Sequence, residues 1–274
     1  MSSIKDRQRA AARARLEKEM AERAAAARKR RQRQTVIAAA LAVVVIAGVT
    51  VWLVTALGND DNKTEAAGPA PGTADCTWTP MDANSGAKIK DVGTPPTAVP
   101  NIGASTLTMD TNLGAITATV DLAKAPCTGE AFTYLAGKKF WDNTKCHRMT
   151  TEGIKVLQCG DPFATGKGYR KTDGTGGPSF RYAEENLPTG KTPTYPKGTI
   201  AMAKTQEAAT TGSQFFIVYG DTPLPAQYTI LGTVTKGMEL VDQVAKAGTD
   251  NSNAKGDGHP KKELDIKTLT MAAA

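Results

Sequence analysis

The residues of this chain from which chemistry could be built are few: Cys76, Cys127, Cys146, Cys159, His147, His259 and Arg148 beside His147. The cysteines contain no Cys-x-x-Cys pair, and the two histidines do not complete a zinc-ligand spacing. An even count of four fits two disulfides, with zinc as the alternative reading; no metal site is expected. There is no G-x-S-x-G elbow, no phosphate-binding P-loop and no H-E-x-x-H pair. The Gly-rich GTGG at 174–177 lacks the following apolar helix that would aim a dipole at a phosphate, so it reads as a tight loop. The domain thus offers no nucleophile, metal site or nucleotide cradle, and no cofactor is expected.

The elements that must position these residues follow two segments that cannot join a core. Between Met1 and Gln34, 12 Lys or Arg stand against four acids, a local charge of +8 in a chain whose total is +7. The rest is therefore near −1, which argues against a nucleic-acid partner. From Thr35 to Leu57 no charged residue occurs for 23 positions, enough at about 1.5 Å per residue to cross roughly 30 Å of hydrocarbon. The basic side of that span is expected in the cytoplasm, and the tail can lie against anionic headgroups. All four cysteines then fall on the exported side, where disulfides persist. A single-pass protein of the cell membrane is the expectation.

Residues 58–105 turn to Gly, Pro, Ala, Thr, Asn and Asp and read as a linker, partly docked near Cys76 and Trp78. Residues 106–274 are long enough for one core. Leu107 and Met109, then Ile116, Ala118 and Val120, alternate around a turn at 112–114 and predict a hairpin. Pro126 suits a first helical position, Phe132 and Leu135 share a face, and Gly137 is expected to end the helix in the left-handed conformation. Apolar runs at 154–159, 199–203, 215–219 and 229–234 predict further strands. Met238, Leu240, Val241, Val244 and Ala245 predict a second helix before Gly248, and Leu264 to Met271 a last strand. The class is mainly β with two helices.

Five motifs, HR at 147–148, LQCGD at 157–161, GTGG at 174–177, GTIAMA at 198–203 and GSQFFIVY at 212–219, together resemble the cyclophilins. The likeness spans about 105–271 and is similar to the membrane-anchored cyclophilins of actinobacteria. It implies an eight-stranded antiparallel barrel capped by two helices and a peptidyl-prolyl cis/trans isomerase. Carried over by position, it makes Arg148, Gln158 and Phe216 catalytic, and Val156, Met202, Ala203, Lys204, Gln214, Leu224 and Tyr228 substrate-binding. Mapping the cysteines onto that fold implies disulfides Cys146–Cys159 and Cys76–Cys127.

Rotation about an X-Pro bond must break amide resonance, a barrier of about 18–20 kcal/mol. As resonance is lost, the prolyl nitrogen regains its lone pair and can accept a hydrogen bond from a permanently charged guanidinium. The resemblance places Arg148 for that donation, over an apolar floor of Phe216 and Leu224.

The sequence departs from the family in several places. Lys155 stands about where many cyclophilins carry a pocket phenylalanine, leaving Ile154 or Val156 to fill that place. Lys204 replaces a common asparagine, Tyr228 a frequent histidine, and no tryptophan lies around 222–225. The stretch 162–173 is expanded. Two functions are thus carried forward: isomerisation of Pro-containing segments of exported proteins by a monomeric domain, or a catalytically weak module that binds such segments.

Overall fold

The computed structural model describes residues 70–82, 86–189 and 194–274. The expected tail 1–34 and membrane span 35–57 lie outside the described residues, and among the described residues no helix is long and apolar enough to cross a membrane.

Four short strands come first: β1 (Thr73–Asp75), β2 (Thr79–Pro80), β3 (Lys88–Lys90) and β4 (Ala98–Pro100). The expected hairpin follows as β5 (Ala104–Thr111) and β6 (Gly114–Asp121), then α1 (Pro126–Gly137), β7 (Thr144–Lys145), β8 (Arg148–Thr150) and β9 (Val156–Cys159). Next are β10 (Gly176–Pro178), β11 (Phe180–Arg181), β12 (Thr194–Tyr195), β13 (Thr199–Met202), β14 (Phe215–Val218) and β15 (Thr222–Pro223). The chain ends with β16 (Ile230–Lys236), α2 (Met238–Ala247), β17 (Asp257–Gly258) and β18 (Asp265–Ala273).

One sheet of ten antiparallel strands, ordered β17-β8-β9-β14-β13-β16-β6-β5-β18-β7, dominates. Eight strands were expected; the other two, β7 and β17, are two-residue pieces at its ends. β7 closes one end and β8 stands one strand in from the other, yet only Cys146 and His147 separate them in the chain, so the sheet must curl back toward itself. The Cys146 N–H donating to Leu264 O at 3.0 Å ties that junction.

The two faces of the sheet divide along each strand with the period of two that the pleat imposes. On one face Met149, Leu157, Ile200, Met202, Phe215 and Ile217 join the main core with Phe132, Leu135, Phe140 and Trp141. On the other, Val156, Ala201, Phe216 and Val218 form a smaller cluster with Tyr195.

Helix α1 begins at Pro126 as expected, but its first turn is capped from afar: Glu185 accepts from the Thr128 N–H at 2.6 Å and from its Oγ1 at 2.7 Å. A carboxylate suits the positive end of the helix, although burial raises the Glu185 pKa and outweighs those donors. The helix end differs from expectation. Gly137 stays helical and the left-handed residue is Lys139, at φ 52°, because the Lys138 N–H already turns back to Tyr134 O and Leu135 O.

The linker expectation meets an ordered strap. β1 pairs with β4, β2 with β11, and β3 runs parallel to β10. Trp78 sets its edge on Phe180 and Tyr182, both at 5.3 Å between centroids, and its indole N–H donates to Pro96 O. Cys76 is bonded to Cys127 at the start of α1, and Cys146 to Cys159 beside β8 and β9.

Candidate active site

Register places the site. Arg148 stands opposite Gln158, Gln158 opposite Phe216, and Phe216 opposite Ala201, a single row across β8, β9, β14 and β13. Neighbouring strands lie about 4.8 Å apart, so one row brings a cation, an amide, a ring and a methyl group to the outer face of the sheet.

The row borders a cavity of about 150 Å³ lined by Arg148, Ile154, Val156, Gln158, Ala203, Lys204, Phe216, Leu224 and Tyr228. Its floor is aromatic: the Phe216 and Tyr228 rings meet edge to face at 5.7 Å, and Tyr195 packs beneath them at 6.4 and 6.3 Å. The Tyr195 hydroxyl donates to Tyr228 O at 2.9 Å and accepts the Tyr228 N–H at 3.1 Å, fixing the backbone that presents the second ring.

Arg148 is held on two sides. Its Nε and Nη2 donate to the Asp257 carboxylate at 2.9 and 2.6 Å, and its Nη1 donates to Gln158 Oε1 at 3.2 Å. Hydrogen bonding to Arg148 lowers the Asp257 pKa and in return raises that of the guanidinium. Gln158 Nε2 passes the chain on to Gln214 Oε1 at 2.9 Å, and Gln214 Nε2 donates to Gly174 O and Gly176 O at 2.8 and 2.9 Å.

The GTGG turn thus has a structural purpose. It wraps the buried Asp161 carboxylate, which accepts from Gly174 N–H at 2.6 Å, Gly176 N–H at 3.2 Å and Phe163 N–H at 2.8 Å. Gly174 sits at φ 92°, and a Cβ at Gly176 would run into Asp161 Oδ1. Beneath Gly174 lies the His147 ring, 3% exposed, with neither nitrogen hydrogen-bonded to protein; burial pushes its pKa down to about 4.

A second cavity of about 450 Å³ continues from the first across Gln158, Ala203 and Lys204, and is walled by Gln214, the GTGG turn, Phe180 and Met81 of the strap. Of the residues expected at the site, Arg148, Val156, Gln158, Ala203, Lys204, Phe216, Leu224 and Tyr228 meet at the smaller cavity, while Gln214 lines the larger. Met202 lines neither. It is fully buried on the opposite face of β13, because neighbours along a strand point to opposite sides and Ala203 takes the groove. Ile154 and Val156 occupy the wall, whereas Lys155 turns outward with its stem against Gly220.

The Lys204 ammonium lies 3.6 Å from the Glu184 carboxylate and donates to Thr205 O at 3.0 Å. The expanded stretch 162–173 contributes nothing to either cavity. It instead stacks Tyr169 on His259 at 4.4 Å and ties Arg170 to Asp173 and Phe163 O. Asp257 and Tyr195 escaped the sequence reading. The first has no local signal, being 109 positions from its arginine; the second stands outside the apolar runs from which strands were predicted.

Residues 106–271 match the family model described as cyclophilin type peptidyl-prolyl cis-trans isomerase/CLD. A Mycobacterium leprae protein named "Probable peptidyl-prolyl cis-trans isomerase B" is 39% identical over 209 residues, covering 72% of this chain and 66% of that protein. A Mycobacterium tuberculosis protein of the same name is 37% identical over 211 residues, with 72% and 64% covered. The chain thus spans just under two thirds of the length of these relatives. Among solved structures, a Cryptosporidium parvum cyclophilin type peptidyl-prolyl cis-trans isomerase, determined in the presence of the dipeptide Ala-Pro, is 24% identical, with 62% of this chain and 99% of that one covered and a TM-score of 0.45.

Proposed function

The chain belongs to the cyclophilin-type peptidyl-prolyl cis-trans isomerase family, and on that premise we propose that it isomerises X-Pro bonds in Pro-containing segments of exported proteins. The observation that carries the reading is the Arg148–Gln158–Phe216 row, which sets a fixed guanidinium beside a small pocket that Phe216, Leu224 and Tyr228 line.

The pyrrolidine ring packs on Phe216, Leu224 and Tyr228, which excludes water and strengthens electrostatics at the pocket mouth. Arg148 donates to the prolyl nitrogen only as the amide twists, so the bond is made in the transition state and not in the planar ground states. Gln158, locked between Arg148 and Gln214, presents the site's amide to the substrate backbone. Lowering the barrier by about 7 kcal/mol corresponds to roughly 10⁵-fold acceleration. No proton is transferred and no covalent bond exchanged.

We place the domain outside the cytoplasm, tethered by residues 35–57, with residues 1–34 on the cytoplasmic side. The uncharged stretch, the basic residues before it and two disulfides after it support that placement. The decisive assay is isomerisation of a Pro peptide by the oxidised chain, with Arg148→Ala in parallel. Turnover lost in the variant supports the enzyme; equal rates would refute it, and peptide affinity without turnover would make the domain a binding module. Protease treatment of intact cells tests the location, since a domain protected until lysis contradicts it.

A further inference from the structure

The geometry assigns Asp257 as the positioning residue of Arg148, delivered by the turn between α2 and β18; this rests on the isomerase reading above. A guanidinium has five N–H groups. Nε–H and one Nη2–H go to Asp257, and one Nη1–H goes to Gln158, so one N–H on each terminal nitrogen is left for substrate. The fork-to-fork contact with a carboxylate fixes the guanidinium plane as well as its place. Gln158 alone would leave the group free to swing about its Nη1 contact.

The turn that carries Asp257 is built as a bracket. β17 pairs with β8, setting Asp257 opposite Thr150 and Gly258 opposite Met149, so the carboxylate is pinned to the strand of its own partner. Asn253 Nδ2 donates to Asp257 Oδ1 at 3.0 Å, and Asn251 Oδ1 accepts the Gly256 N–H at 2.7 Å. Gly256, at φ 75°, leaves no room for a Cβ against Glu152. The far end is anchored twice, by the His259 N–H on Asp250 Oδ1 at 2.8 Å and by its ring Nδ1 against His147 O at 2.6 Å. Tyr169, from the expanded stretch 162–173, stacks on that ring. Two segments that do not touch the pocket therefore converge on the orientation of Arg148.

Because Arg148 bonds the prolyl nitrogen only in the twisted state, losing its orientation should lower kcat and leave KM nearly unchanged. The test uses the full chain. Asp257→Asn is expected to lower kcat at least tenfold with KM within about threefold, and Asp257→Ala to regain part of the lost rate when acetate is added, with no acetate effect on Arg148→Ala. In ¹⁵N spectra the Arg148 Nη groups should be resolved in the wild type and averaged by rotation in Asp257→Asn. A wild type that turns over while Asp257→Asn matches or exceeds it, or freely rotating Nη groups in the wild type, would overturn this assignment and leave the function standing. Absence of wild-type turnover removes the function itself, and this assignment with it.

Discussion

Gln158 and Gln214 lie side by side with Nε2 of the first donating to Oε1 of the second at 2.9 Å, and that one contact joins the arginine to the Gly-rich turn. Gln214 spends its own NH₂ on the carbonyls of Gly174 and Gly176. Gln214→Glu would set a carboxylate against both oxygens and is expected to lower kcat/KM about tenfold, the value of roughly 1.4 kcal/mol. Steady-state kinetics on a Pro peptide checks this; an unchanged value would show that the chain of amides does not reach the site.

The aromatic floor separates ring from hydroxyl. Phe216 is 5% exposed, and Phe216→Ala is expected to cost about 3 kcal/mol of stability and most of the activity. The Tyr228 hydroxyl accepts only a 3.2 Å contact from Gln227, so Tyr228→Phe should stay within about twofold of wild-type kcat/KM. A large loss in Tyr228→Phe would mean that the hydroxyl binds substrate.

His147 makes stability depend on pH. Unfolded, the imidazole takes a proton near pH 6.5; folded, burial holds it off until about pH 4. Between those values the unfolded chain binds more protons, so acid favours unfolding, and stability should fall as pH drops from about 6.5 toward 4 by up to roughly 3 kcal/mol. Denaturant titrations across that window in wild type and His147→Gln measure it, the variant being expected to show a shallower slope.

The Cys76–Cys127 disulfide closes a loop of 51 residues. In the chain-entropy account this contributes up to about 4 kcal/mol. The Cys76→Ala/Cys127→Ala double variant should lose between 2 and 4 kcal/mol, since the β2 and β3 pairings remain. Amide exchange should rise over 73–100 and leave β13 and β14 protected. Uniformly unchanged exchange would show that strand pairing alone holds the strap.

Cyclosporin should inhibit weakly. The wall at 224–228 is Leu224 and Tyr228, with no tryptophan between Thr222 and Pro225, where the family resemblance places the residue linked to that ligand. An inhibition titration of the Pro-peptide assay decides it, and tight inhibition would contradict the argument.

The sequence by itself determined what local rules carry. Alternation announced β5 and β6, helical spacing announced α1 and α2, and the order of five short motifs pointed to the family and to most of the residues that line the smaller cavity. Tertiary structure decided what depends on register and on distant partners. Period-two alternation says that Met202 and Ala203 face opposite ways, but only pairing with β14 settles which one meets the groove. Nothing near Arg148 announces Asp257, because the carboxylate reaches it through strand pairing across 109 positions. A Pro- and Gly-rich composition read as a linker docked near Cys76 and Trp78, and what lay beyond that reading is the pairing of β2 and β3 with strands of the domain, whose stabilisation resides in the surface they dock on. Propensity is a property of neighbours along the chain; burial, register and the partner of a charge belong to neighbours in space.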